Sequence, residues 1–289
     1  MNARLEVLAT GPQAVVTDHG RPGHAHLGVP PSGALDRPAL DLANRLVGNP
    51  AGAAGLELLL GRTRLRARGA VTVAVTGPPV TLRAGGRAVS SHCAVRLPDG
   101  AELTVGAPDG GVRVYLAVRG GLEVPLALGS ASTDLLSGLG PHPLVDGDVL
   151  AVGDAAVDPV PPSGPVPASV PAGVARLRVR LGPRDDWFAD PTGDLTGPAW
   201  SVSPTGNRIG VRLDGPAPRR RPEREGSELP SEGMVVGAVQ APPGGPPVVF
   251  LADHPTTGGY PVIGVLEPDD VAVLAQARPG STVRIAVVG

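Results

Sequence analysis

The chain has 289 residues, 42% hydrophobic and 18% charged, which suits one large or two modest globular domains and excludes a wholly disordered chain. A formal net charge of -2 offers no attraction to a polyphosphate backbone, so nucleic-acid binding is not expected. Lysine is absent, which excludes a Schiff-base or P-loop lysine, and the lone Cys93 excludes an intrachain disulfide and a cysteine-rich metal site. No run reaches the roughly 20 apolar residues of a membrane-spanning helix, and the first residues lack the long apolar segment of a secretory signal. A cytoplasmic location away from membranes is the expectation.

Taken in chain order, residues 5–8 open as a short strand. The best helix follows at 35–47, with Ser32 as its cap and an apolar stripe of Leu35, Ala39, Leu42, Ala43 and Leu46 at helical spacing. Gly48-Asn49-Pro50 stops it. Strands are predicted at 69–75, 101–105 and 112–118. Residues 91–95 read as a strand start in which Cys93 is expected to be a buried structural thiol; a nucleophile paired with His92 is disfavoured, because adjacent strand residues point to opposite faces. Proline crowds residues 158–173, and such a run favours extended backbone over sheet. The chain therefore divides into a β-rich domain over 1–155, a linker over 156–173 and a second domain over 174–289. In that second domain 176–181 alternates as a half-exposed strand should, and 235–239, 248–251 and 282–288 continue the pattern. A short helix is predicted at 269–276, with Pro268 near its first turn. The expected fold is mainly β, two barrel-like or sandwich-like domains with a few short helices. A dinucleotide fold is excluded, because strand–helix alternation and its glycine fingerprint are both missing.

The most informative chemistry lies near the end of the chain. Asp253 follows the strand at 248–251, and Thr256, Thr257, Gly258, Gly259 and Tyr260 come directly after it. This places a carboxylate, hydroxyls and a phenol on a loop whose glycines permit close backbone approach. An earlier loop, 17–26, holds Asp18, His19, Arg21, His24 and His26, with Asp18 and Arg21 placed to form a local ion pair. No complete metal signature accompanies those histidines, and no metal is expected. Within 120–134, Ser130, Ser132 and Thr133 supply hydroxyls beside Gly129, and the backbone amides there suit an anion. Arg208, beside Gly210, offers a planar fork for a carboxylate. Asn44 falls among the apolar positions of its helix, while Asp41 and Arg45 read as solvated. No Ser-His-Asp order and no nucleophile elbow are present.

The joint order of several short segments resembles a known family. They are Asp18-His-Gly-Arg21, Pro31-Ser-Gly-Ala-Leu-Asp36, Ala43-Asn-Arg-Leu-Val-Gly-Asn49 and Leu56-Glu57. Gly120-Gly121, Gly129-Ser130, Ser132-Thr133, Arg208-Ile-Gly210 and Arg212-Leu213 follow. Ser231-Glu-Gly233, Gly237-Ala-Val-Gln240 and Thr256-Thr-Gly-Gly-Tyr260 complete the series. The chain is identified as a member of the KipA-like, or biotin-dependent carboxyltransferase, family, also called the allophanate hydrolase subunit 2 family. That resemblance implies a cyclophilin-like barrel in the second half. It also implies that Asp18, Arg21, Ser32, Asp36, Asn44 and Glu57 line or brace one part of a cleft. Ser130, Thr133, Arg208, Gln240, Asp253 and residues 256–260 would complete it.

Bacterial members of the family serve ATP-dependent 5-oxoprolinase, so the resemblance implies a small lactam or amide substrate and ATP with Mg at the level of a complex. The implied partners are two further proteins, a KipI-like B component and a LamB/YcsF-like A component, with no covalent cofactor on this chain. Asp18 or Asp253 would steer a proton or water, and Arg208 would hold a substrate carboxylate. Two alternatives carry over from the same family. One is a component of a urea- or allophanate-type amidolyase or biotin-dependent carboxyltransferase. The other is a non-enzymatic regulator that binds a KipI-like kinase inhibitor. Thr17, Ala131, Pro255 and Val262 depart from the family pattern, each replacing a larger polar residue beside a proposed site position.

Overall fold

The computed structural model describes residues 3–161, 164–167 and 174–289, so parts of the proline-rich stretch, 162–163 and 168–173, lie outside the described residues. It divides into two compact units that are not contiguous in sequence. Unit 1 comprises Met1–Arg21, Ser32–Asp134 and Gly138–Val170, and unit 2 comprises Pro22–Pro31, Leu135–Ser137 and Pro171–Gly289.

Unit 1 carries twelve strands: β1 (Arg4–Ala9), β2 (Gln13–Thr17), β3 (Gly55–Leu59), β4 (Thr63–Arg68), β5 (Val71–Thr76), β6 (Val80–Ala84), β7 (Arg87–Val89), β8 (Ala94–Leu97), β9 (Glu102–Pro108), β10 (Arg113–Val118), β11 (Leu122–Glu123) and β12 (Val149–Val152). They form a seven-stranded sheet ordered β11-β12-β1-β4-β9-β6-β7 and a five-stranded sheet ordered β2-β3-β10-β5-β8. Period-two alternation explains the core between them. Leu5 and Val7 of β1, Leu65 of β4 and Leu103 of β9 share one apolar cluster with Leu56 and Leu58 of β3, Val73 of β5 and Val114 of β10. The outer face of the seven-stranded sheet is charged, where Arg66 reaches Glu102 at 2.7 Å and Arg68 reaches Glu6 at 2.6 Å.

The outer face of the five-stranded sheet is covered by α1 (Arg37–Leu46). Ala43 and Leu46 pack against Ala74 and Ala117, while Ala39 and Leu40 pack against Tyr115. Every residue of β10 is consequently buried, as a central strand covered on both faces should be. The helix begins later than its periodicity suggests. Asp36, not Ser32, is the cap, its side chain accepting from the Ala39 amide at 3.1 Å. Ser32 adopts a left-handed φ of 52°, and the amides of Leu35 and Asp36 bond to the side chains of Glu57 and Tyr115 instead of entering the helix. Residues 91–95 also differ from expectation. His92 has a φ of 58°, β8 starts only at Ala94, and Cys93 is half-buried, its thiol donating to the Ser90 carbonyl at 3.3 Å.

Unit 2 adds β13 (Ala175–Leu181), β14 (Trp200–Val202), β15 (Gly210–Asp214), β16 (Glu232–Gly233), β17 (Ala238–Gln240), β18 (Val248–Phe250), β19 (Thr257–Gly258), β20 (Val262–Leu266) and β21 (Thr282–Val288). Its helices are α2 (Pro191–Thr196) and α3 (Pro268–Ala275). Seven of these strands close into a barrel ordered β13-β20-β17-β18-β15-β14-β21, and β16 pairs with β19 as a separate arm. The protein is thus mainly β with few short helices and one closed barrel, the described residues of unit 1 forming two sheets where a second barrel-like body is expected. The predicted strand at 235–239 shrinks to β17, because Gly237 takes a φ of 84° and Val235 closes a turn onto the Ala238 amide. Among the described residues no helix is long and apolar enough to cross a membrane.

Candidate functional site

Chain reversal after β2 places Asp18 beneath the 127–133 loop of unit 1. Asp18 Oδ1 accepts from the Gly20 amide at 2.7 Å and from the Ser130 and Ser132 hydroxyls at 2.6 Å each. Its Oδ2 accepts from the Ala131 amide at 2.7 Å. A carboxylate offers about four lone-pair sites, so this one is saturated by the protein itself. Backbone bonds clamp the same segments, Thr133 N to Val16 O at 3.0 Å and Ala34 N to Asp18 O at 2.9 Å. The anion that the 130–132 hydroxyls and amides suit is therefore a side chain of this chain.

Arg21 does not pair with Asp18 as the sequence suggests. The carboxylate is occupied by the 130–132 loop, and the guanidinium turns to carbonyls, Nε donating to Ala127 at 3.1 Å and Nη2 donating to Ser132. Arg21 is only 2% exposed, yet its Nη1 has no partner. The same holds for the Ser32, Thr133 and Thr17 hydroxyls, all buried and unpartnered. Gly33 keeps the loop ends close, since a Cβ there would lie 2.9 Å from the Gly20 nitrogen.

Two further groups of expected site residues brace unit 1. Asn44 donates to the carbonyls of Ala51 and Ala53 at 3.0 and 2.9 Å and accepts from Asn49 at 3.0 Å. Asn49 passes the network on to Val118 O and receives the Gly120 amide. Glu57 accepts from the Leu35 amide at 3.1 Å, from Arg113 at 3.2 Å and from the Tyr115 hydroxyl at 2.8 Å. The Tyr115 oxygen accepts in turn from the Asp36 amide. Burial, reinforced by the neighbouring Glu57 charge, pushes the Tyr115 phenol well above its usual value, so it stays a donor.

In unit 2, Arg208 and Asp253 form a buried bidentate pair, Nε to Oδ2 at 2.9 Å and Nη2 to Oδ1 at 3.1 Å. Asp253 also accepts from the Leu135 amide at 3.1 Å. The carboxylate that the Arg208 fork fits is again an internal one. The segment after Asp253 climbs outward. Thr257 and Gly258 build β19 on the Glu232–Gly233 strand, and Tyr260 is half-exposed, with its carbonyl accepting from Gln240 Nε2 at 3.1 Å. Arg184 holds Glu232 at the base of this arm and keeps its carboxyl below the usual range.

Ser132, Asn49, Arg113 and Tyr115 complete these clusters. Ser132 is legible as one of the 130–133 hydroxyls and Asn49 as the end of a matching segment, whereas Arg113 and Tyr115 carry no signal in the sequence. His24 and His26 lie with ring centres 6.4 Å apart, and among the described residues no group of three or more ligating side chains is arranged for a metal. Thr17 leaves a buried hydroxyl without a partner, and the other three departures are benign in their own contacts. Ala131 supplies a backbone amide to Asp18, the Pro255 carbonyl faces His254, and Val262 is buried in β20.

Residues 27–287 match the model of the family described as carboxyltransferase domain, subdomain A and B. The chain is 36% identical over 283 residues to the C subunit of 5-oxoprolinase from Escherichia coli K12, covering 96% of this chain and 89% of that protein. It is 30% identical to urea amidolyase of Saccharomyces cerevisiae, across 97% of this chain but 16% of the larger protein. Among solved structures it superposes on that of TTHA0988 with a TM-score of 0.87 at 38% identity, covering 99% of this chain and spanning about half, 56%, of that one. The chain belongs to the biotin-dependent carboxyltransferase family that includes the C subunit of 5-oxoprolinase and the related region of the urea amidolyases.

Proposed function

We propose that this chain is the C subunit of an ATP-dependent 5-oxoprolinase, contributing to hydrolysis of 5-oxo-L-proline to L-glutamate. The observation that carries the reading is the near end-to-end match to a free-standing 5-oxoprolinase subunit, 96% of one chain against 89% of the other. On this reading the closed barrel is of the cyclophilin-like type. ATP with Mg and two further proteins, one KipI-like and one LamB/YcsF-like, complete a cytoplasmic assembly. Phosphoryl transfer to the lactam oxygen makes the ring carbon electrophilic, and water adds there. The C–N bond then breaks to free the amine, and a second water releases phosphate from the new carboxyl group. This chain has neither a P-loop nor any lysine, so the nucleotide is assigned to the assembly. Asp18 and Asp253 act by position, because each is already engaged by several donors.

A urea- or allophanate-type reaction is the second reading, favoured by the 30% identity to urea amidolyase across 97% of this chain. Any biotin would arrive on another polypeptide, since this one has no lysine to carry it. The test is glutamate release from 5-oxo-L-proline and ATP by this chain mixed with its two partner proteins, with each omitted in turn. Release only in the complete mixture supports the first reading. A folded, verified complex that releases none sinks it and brings urea forward as the substrate to assay.

A further inference from the structure

Three arginines are buried among the described residues: Arg21, Arg113 and Arg208. Arg113 has Glu57 at 3.2 Å and Arg208 has Asp253 at 2.9 Å, whereas Arg21 meets only carbonyl oxygens. A buried charge without a counter-charge is costly, and so is a buried polar atom without a bond. Five buried side-chain polar atoms among the described residues lack partners, and four of them belong to Thr17, Arg21, Ser32 and Thr133. These four residues stand on segments bound directly to one another through Val16, Asp18 and Ser132. Four of the five unsatisfied groups therefore lie on segments joined directly to one another, and one of them is a guanidinium that meets carbonyls and no carboxylate.

We infer that Arg21, Ser32 and Thr133, with Thr17 beside them, form a subsite for the carboxylate of a small organic acid, and that Asp18 is the positioning residue that holds its walls. The donor set decides the class of ligand. The unpartnered Nη1 of Arg21, with its two N–H donors, and neighbouring hydroxyls complement a planar monoanion, while a phosphate dianion would call for more positive charge than Arg21 supplies. A metal cation would meet a guanidinium, and a neutral ligand would leave that charge uncompensated. Asp18 takes no part in the anion's binding, because its oxygens are saturated by Gly20, Ser130, Ala131 and Ser132. Naming 5-oxo-L-proline as the physiological carboxylate rests on the proposed function; the subsite itself does not.

The test is calorimetric titration of the full chain with three probes: 5-oxo-L-proline, 2-pyrrolidinone, which has the lactam without the carboxylate, and succinate. Wild type is expected to bind 5-oxo-L-proline at least tenfold more tightly than 2-pyrrolidinone. Thr133→Val and Ser32→Ala should each weaken binding about tenfold or more, the loss of one bond to a charged group. Because these hydroxyls have no partner in the free protein, both variants should unfold at or above the wild-type midpoint, which a structural role would not give. Arg21→Gln adds the charge test if it folds. Failure to bind 5-oxo-L-proline, with succinate bound and weakened by the same variants, keeps the subsite and removes 5-oxo-L-proline as its carboxylate in this chain; the 5-oxoprolinase reading itself falls only if the complete mixture also releases no glutamate. If neither acid binds, or the hydroxyl variants bind as wild type does, the subsite is overturned.

Discussion

Replacing Asn44 separates bracing from ligand contact. The side chain is fully buried on the sheet-facing side of α1, and its three bonds go to Ala51, Ala53 and Asn49. In Asn44→Ala the Ala51 carbonyl can turn to water, since that residue is exposed. The half-buried Ala53 carbonyl and the buried Asn49 amide lose a partner each, and an unsatisfied buried group costs about 1–3 kcal/mol, which gives roughly 2–6 kcal/mol in all. Asn44→Asp should be worse at neutral pH, because a carboxylate would face two carbonyls. It should recover in part on acidification, as protonation raises one donor again. Urea denaturation followed by far-UV circular dichroism suits the measurement, since Trp187 and Trp200 both lie in unit 2 and their fluorescence follows the barrel. An Asn44→Ala protein within about 1 kcal/mol of wild type that has nevertheless lost ligand binding would refute the bracing role.

Other outcomes follow from the same geometry. Burial holds the His92 imidazole below its usual value of 6.5, so the unfolded chain binds this proton more readily. Its contribution to stability is complete above that value and is lost as pH falls below it, so His92→Asn should flatten the loss of thermal midpoint between about pH 7.5 and 5.5. Asp253→Asn removes the carboxylate charge that the buried Arg208 meets at 2.9 Å and should cost up to about 3–5 kcal/mol in denaturant titrations; a change near zero would mean that this pair does not hold the barrel. A Cβ on Gly258 would lie 2.6 Å from Gln240 Nε2 and 3.1 Å from Met234 Sδ, so Gly258→Ala should cost about 1–3 kcal/mol and free the Tyr260 carbonyl. Gly259→Ala, whose nearest neighbour would be 3.5 Å away, should be close to neutral in the same melting assay.

Patterns that act over a few residues are legible in the sequence. The alternation in 176–181 and 282–288 becomes β13 and β21, and the apolar stripe of α1 is the face that covers Ala74, Ala117 and Tyr115. Asn44, set among those apolar positions, is indeed buried. Residue type alone misplaces the cap of α1, because Ser32, a good capping residue, sits at a left-handed φ before the chain can turn helical. Local β propensity overextends the strand from Val235, because a turn at Gly237 overrides it.

Chemistry near the candidate site is legible by type and not by partner. The sequence alone determined that hydroxyls and amides at 130–132 favour an anion and that the Arg208 fork favours a carboxylate. Only the tertiary structure decided that the first anion is Asp18, 112 residues from Ser130, and the second is Asp253, 45 residues from Arg208. It also gave His19 a partner, Asp41 at 2.7 Å, and left Arg21 without the ion pair its neighbour offers on paper. The physical reason is one of range. Backbone propensity and side-chain periodicity are set within a turn or a strand, whereas a charged group is satisfied by whichever donors the packed chain brings within about 3 Å of it.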